Sequence, residues 1–354
     1  MDDAAREALA LGERQVEFLE RWARAGEAER LRDFALGLLD RSRTDDRVAL
    51  VWHVARLLAL TPGLDFALAL RDLARELDPR ELAGRASAGQ PLEVCAELVA
   101  SAEPADDRFV ACLVQELVLR HGSLEREPFA SSWRGLASRG HELAWLPLRL
   151  SRVEAAPELP SFSPHGEVRA RLGPLDEGAG PDAGPAVGRI GAEATTPADA
   201  ERILAAVAGW KAEARVFGLT GGAEQPLAVA LGEAGLECLP SGLLGRRRAP
   251  SRGRQIRAAD AWAAVFDLAS GGGAYDDGEG GAYGRLHAWR SLGALAGATP
   301  DAPFDEVVDT VERASWYRFE SDAGWFWNEL YDLGLGAVSP DGRRLAVLAA
   351  TDTD

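Results

Sequence analysis

Between Gly271 and Gly284 the chain reads Gly-Gly-Gly-Ala-Tyr-Asp-Asp-Gly-Glu-Gly-Gly-Ala-Tyr-Gly, and no other stretch is so hard to explain as packing. The tetrad Gly-Gly-Ala-Tyr occurs at Gly272–Tyr275 and again at Gly280–Tyr283, with Asp276, Asp277, Gly278 and Glu279 between. Glycine lets a backbone take positive φ and approach a ligand closely. Clustered carboxylate oxygens suit a hard divalent cation, so Asp276, Asp277 and Glu279 are candidate metal ligands, although they lack the spacing of a calcium-binding EF-hand loop. A helix expected to start after the loop would add the amides of Gly284 and Arg285 and the Arg285 charge as an anion cradle. His287, one turn later, could face the same mouth as Tyr275 and Tyr283, and Asp352 and Asp354 could add to its negative charge. The competing reading is a plain connector. Neither phosphate fingerprint fits, because the sole lysine, Lys211, lies elsewhere and the preceding element reads as helix.

Other chemistry is sparser. Arg246, Arg247, Arg248, Arg252, Arg254 and Arg257 form a local basic run that could grip a phosphorylated ligand, or simply neutralise acidic neighbours. Gly218-Leu219-Thr220-Gly221-Gly222 superficially matches a nucleophile elbow with threonine for serine, but no acid–histidine pair stands beside it. His141-Glu142 begins a zinc-binding pattern that Trp145 then breaks. His53, beside Trp52, reads as core. No complete catalytic constellation emerges.

Acidic residues number 56 against 39 basic ones, a formal charge of −17. That field repels phosphate backbones, which disfavours nucleic acid as a partner and favours a basic protein or a cation. Cys95, Cys112 and Cys238 are scattered and odd in number, which fits buried thiols in a reducing compartment. No signal peptide or membrane-length apolar run is evident, so a cytoplasmic location is expected. Residue usage, with one lysine and one asparagine against abundant Ala, Gly, Arg and Pro, matches a GC-rich bacterial genome and weakens every argument from glycine counts.

Residues 1–155 read as a helical domain. Leu9, Val16, Phe18, Leu19 and Trp22, then Leu31, Phe34, Ala35, Leu38 and Leu39, recur near helical spacing. Further helices are expected at Asp46–Leu60, Asp65–Leu77, Pro91–Ala100, Asp106–His121 and Glu142–Ser151. Short helices with short connections predict a bundle or short solenoid. Residues 156–188 are rich in proline and glycine and read as a linker, with one strand around Val168–Leu172. Residues 189–354 mix the two element types. Strands are expected at Val187–Ala194, Ala214–Leu219 and Leu236–Leu239, and helices at Pro197–Lys211 (capped by Thr196), Leu227–Glu233, Ala258–Ala269, Arg285–Ala296 and Phe304–Ala314. Leu330–Ser339 and Arg343–Thr351 predict a hairpin turned by Pro340-Asp341-Gly342. The aromatics from Trp316 to Tyr331 read as core between helix and sheet.

The Gly-Gly-Ala-Tyr loop, Ala288-Trp289-Arg290-Ser291-Leu292 and the ending Leu348–Asp354 resemble an uncharacterised family of soluble bacterial proteins over about residues 190–354. The resemblance implies a natural domain and no activity. The fold expected is therefore α+β: a helical half, then a mixed or antiparallel α+β half ending in a hairpin. The function expected is a non-catalytic interaction protein of immunity or regulatory type. The alternatives are a ligand or divalent-cation site (or enzyme) centred on the Gly271–Gly284 loop, and a phospholigand site on the Arg246–Arg257 run.

Overall fold

The structure, a computed structural model, describes residues 15–40, 45–154, 157–163, 166–168, 175, 183–239, 250–275, 277–321, 325–326 and 331–352. The chain forms two compact units: Met1–Ala144 with Leu159–Arg169, and Trp145–Glu158 with Ala170–Asp354.

The first unit is helical: α1 (residues 15–24), α2 (Ala28–Leu39), α3 (Asp45–Leu60), α4 (Leu64–Leu73), α5 (Pro79–Gly89), α6 (Leu92–Ala100), α7 (Asp107–His121) and α8 (Phe129–Ser138). A two-stranded hairpin, β1 (Ser161–Ser163) with β2 (Gly166–Val168), completes it. α7 is the centre. Phe109 through Leu119 are buried on every side, including the polar Gln115 and Glu116. A helix apolar all round is one that other helices enclose. α5 packs against it with Ala83, Gly84, Ala86 and Ser87, whose small side chains let the axes approach. α5 escapes the periodicity argument for that reason: its buried stripe is nearly all small residues. The buried Gln90 amide ties the corner between α3 and α4, donating to Leu58 O, Ala59 O and Thr61 O and accepting from Gly63 N at 2.8–3.1 Å. Four backbone groups left over at that corner thus find partners.

The second unit holds a six-stranded sheet, antiparallel throughout, in the order β3-β4-β8-β7-β6-β5. Its strands are β3 (Ala186–Glu193), β4 (Lys211–Pro226), β5 (Arg252–Ile256), β6 (Ser315–Glu320), β7 (Asp332–Val338) and β8 (Arg344–Thr351). α9 (Pro197–Ile203), α10 (Leu227–Glu233), α11 (Ala258–Gly271), α12 (Gly280–Ala296) and α13 (Phe304–Arg313) accompany it. The central β7 and β8 are buried on both faces, which is why Leu345–Ala350 is an unbroken apolar run. One face packs Phe217, Leu345, Val347, Tyr317 and Phe319 under Leu227 and Leu231 of α10. α11 and α12 pack against β6, β7 and β8. Each fully buried large apolar side chain of this kind stabilises by roughly 1.5–3 kcal/mol.

The α+β architecture with its closing hairpin stands as the sequence implied, and Gly342 N donates to Ser339 O (2.9 Å) across the turn. Thr196 caps α9 through Asp199 N at 3.1 Å. Several local expectations do not hold. Glu142–Ser151 is only a 3₁₀ turn at Glu142–Trp145, because Pro147 and an irregular, bent run to Glu154 follow. The helix from Pro197 stops at Ile203 and tightens into a 3₁₀ turn, and Leu236–Leu239 is turn rather than strand. The glycine turn at Gly218–Gly222 is interior to the long β4, where Thr220 Oγ1 donates to Arg189 O on β3. Of the expected strand Val168–Leu172, Val168 is strand; the remainder, with His165 and about half of 156–188, lies outside the described residues.

Asp78 caps α5, accepting from Arg80 N (2.9 Å) and from the Arg80 guanidinium. Burial alone would raise its pKa, but the Arg80 hydrogen bonds outweigh that and hold it below the usual value. A carboxylate depressed by folding stabilises above its unfolded pKa and loses that contribution as pH falls through the folded value. Asp78→Asn is therefore expected to lower urea-unfolding stability at neutral pH, with the gap closing below about pH 4. A gap independent of pH would contradict this.

Candidate functional site

Gly271–Gly284 is the connection between α11 and α12, and it is shorter than its glycine content suggested. α11 runs to Gly271 and α12 begins at Gly280, so the second Gly-Gly-Ala-Tyr forms the first turn of a helix. Gly278 takes φ +72°, and a Cβ there would sit 2.6–2.7 Å from the backbone of Gly271 and Ser270. Glu279 N donates back to Ala269 O (2.9 Å), closing the turn on the end of α11. At Gly284 a Cβ would lie 2.6 Å from Ser270 Cβ, so that glycine lets the two helices touch backbone to backbone. At Gly273 a Cβ would overlap the Asp352 carboxylate, and Asp352 Oδ2 accepts from Tyr275 N at 2.9 Å.

The residues singled out from sequence separate into distinct places. Tyr275 is 70% exposed, whereas Tyr283 is buried on α12. Tyr283 and His287, one turn apart, bring their rings within 6.0 Å. Asp277 is exposed and Glu279 half-buried; Asp276 and Asp354 lie outside the described residues. Among the described residues no group of three or more His, Cys, Asp or Glu side chains gathers in metal-binding geometry. Because α12 starts at Gly280, Gly284 and Arg285 fall in its second turn, and their amides are not the free amides of a helix start. Of the arginine run, Arg252 faces Glu320 (3.5 Å) and Arg257 faces Asp260 (2.6 Å), while Arg254 stands opposite Arg318 in the sheet register. Arg246, Arg247 and Arg248 lie outside the described residues.

Arg285 points away from the loop. Its side chain and that of Glu154 are both 0% exposed, with Nε to Oε1 at 2.6 Å and Nη2 to Oε2 at 2.9 Å. Nη1 donates to Pro147 O (3.1 Å) and Nη2 also to Arg149 O (2.7 Å). Trp289 Nε1 donates to Glu154 Oε1 (2.9 Å), and Ser151 N donates to Oε2. Arg285 and Trp289 are four residues apart, so one face of α12 presents both to the irregular 147–154 segment. A bidentate, fully hydrogen-bonded pair of this kind orders the chain and leaves no charge for a ligand. Glu154 carried no sequence signal beyond an acid set among Val153, Ala155 and Ala156. Trp289 had one, since it lies in the Ala288–Leu292 motif.

The thiols offer no nucleophile. Cys95, Cys112 and Cys238 are free and buried. Burial pushes Cys95 up to about 12, and raises Cys112 and Cys238 further still. His141 is shifted the other way, its protonated form disfavoured mainly by burial.

These features define an α+β protein whose most buried charge is committed to architecture. The chain belongs to the DUF6183 family, a family of unknown function, whose model matches residues 13–354. The match covers both halves of the chain, well beyond the C-terminal resemblance read from motifs. No curated protein and no solved structure matches the chain. Among the described residues no helix is long and apolar enough to cross a membrane.

Glu154→Ala is expected to destabilise by about 3–5 kcal/mol, because it leaves Arg285 buried without its counter-charge. Glu154→Gln, which keeps acceptors for Trp289 and Arg285, should cost clearly less. Urea denaturation of the three proteins measures both. A change below about 1 kcal/mol for Glu154→Ala would mean that Arg285 reaches water.

Proposed function

We propose that this protein is a non-catalytic interaction protein that docks a basic partner, in the manner of an immunity or regulatory protein. The observation that carries the reading is the formal charge of −17. Such a field accelerates encounter with a basic surface and disfavours nucleic acid.

α13 gives the charge a place. It buries Phe304, Val307, Val308 and Val311 and turns Asp305, Glu306, Asp309 and Glu312 to solvent. Arg149 meets Asp305, and Arg152 meets Asp309 and Glu312, at exposed sites where ion pairs contribute little and exchange readily for a partner's cations. The raised thiol pKa values and the committed Arg285–Glu154 pair agree with a binding rather than a catalytic role. Buried thiols also agree with a reducing, cytoplasmic setting.

The test is capture at low salt with the full chain as bait. The expected result is a basic partner that is released as ionic strength rises, and that is no longer retained by Asp305→Arg/Glu306→Arg bait. Capture that ignores both salt and charge reversal would refute the proposal.

A further inference from the structure

Most of the arginines that the first unit half-buries face a carboxylate. Arg71 shares the buried Asp106 with the exposed Arg75 (3.5 and 2.9 Å), Arg32 reaches Asp72 (3.2 Å) and Arg80 reaches Asp78 (2.7 Å). Arg56 on α3 breaks the rule. It is half-buried, its Nε is enclosed without a hydrogen bond, and no carboxylate of the described residues pairs with it. Its charged neighbour is another cation, Arg85 on α5, close enough for the two to repel. Removing a guanidinium from water without a counter-ion is costly, so a fold does not keep one idle for stability.

The surroundings are those of a recognition site. The Arg85 guanidinium carbon lies 5.3 Å from the Trp52 ring centre and 5.6 Å from that of Phe162, so two aromatic rings flank it. Arg85 Nη1 is held by Glu81 Oε2 (2.8 Å), whose own side chain is 39% exposed. Arg120 on α7 also lies near Phe162, 5.9 Å from its ring, with Nε on Ser87 Oγ (2.9 Å) and Nη2 on Pro160 O (3.4 Å). The buried Glu116 is the acid that faces this group, close to Arg120 and to Gly84 of α5. Arg56 and Arg85 are thus neighbouring cations from α3 and α5, with Arg120 of α7 near the same Phe162 ring as Arg85, inside a strongly acidic protein. β1, which carries Phe162, packs on α3 and α5.

We infer that Arg56 and Arg85 form a binding site for a small oxyanion, a phosphate or carboxylate group, that supplies the counter-charge Arg56 lacks. Guanidinium forks fit both groups by paired N–H···O contacts, and Trp52 and Phe162 hold Arg85 in orientation while limiting water. Burial lowers the pKa of Arg56 and of Arg120, the mark of cations that folding has partly stripped of water. The site lies wholly in the first unit and does not depend on the basic-partner reading.

The experiment is thermal unfolding of the full chain, titrated at constant ionic strength with inorganic phosphate, with acetate and with chloride. The proposal expects a Tm that rises by several degrees and saturates with phosphate or with acetate, and not with chloride. Which of the two saturates assigns the ligand chemistry. Arg56→Met should abolish the saturating rise and, without ligand, match or exceed the wild-type Tm, because it removes an unpaired cation. Arg56→Lys, which keeps the charge but not the fork, should fold and bind several-fold more weakly. No saturating rise with either anion, or an equal rise in all three proteins, would overturn the site. So would a marked loss of stability in ligand-free Arg56→Met, since Arg56 would then have a structural partner.

Discussion

The second unit depends on one buried ion pair. Arg285 and Glu154 are both removed from water, and desolvating two such ions costs several kcal/mol each unless geometry returns it. Here it does, through two guanidinium–carboxylate bonds, the Trp289 indole and the carbonyls of Pro147 and Arg149. The pair thereby fixes the segment 147–154 against α12, although more than a hundred residues separate them in sequence. The rest of α12 is bound as firmly. Gly284 meets Ser270 of α11, Ser291 Oγ donates to Ile203 O, and Arg344 of β8 donates to Leu295 O (2.7 Å) near its C-terminus.

Arginine therefore has opposite uses in the two units. Arg285 is neutralised, hydrogen-bonded and out of reach, so it contributes order rather than recognition. Arg56 is half-buried beside a second cation and pairs with no carboxylate among the described residues, the arrangement from which an anion site is proposed. In a chain with this charge, unmatched positive residues are more informative than unmatched negative ones. The acidic face of α13 lies at the other extreme, with exposed carboxylates whose arginine partners are themselves exposed.

Much of the architecture was legible in the residues because periodicity and punctuation report on local structure. α3, α6 and α7 carry apolar stripes, and Pro340-Asp341-Gly342 specifies its turn. α5 was hidden by a stripe of small residues that mimics a loop composition. The site was less legible. Glycines at 273, 278 and 284 looked like a ligand cradle, yet each avoids a clash with Asp352, with the end of α11 or with Ser270. Moving the start of α12 from Arg285 to Gly280 rotates Arg285 away from the loop and towards Glu154. Neither that pairing nor the approach of Arg56 to Arg85 has any sequence signature, because their partners are set by tertiary packing.

The central claim, that the Arg285–Glu154 pair makes 147–154 a structural part of its unit, is most directly tested by native-state hydrogen exchange. Ser151 N donates to Glu154 Oε2 and Glu154 N to Ser151 O. The account predicts that these two amides and the Trp289 indole N–H exchange only as slowly as the core of α12, through the same cooperative opening. Exchange of Ser151 and Glu154 at the rate of an exposed loop, with α12 still protected, would contradict it.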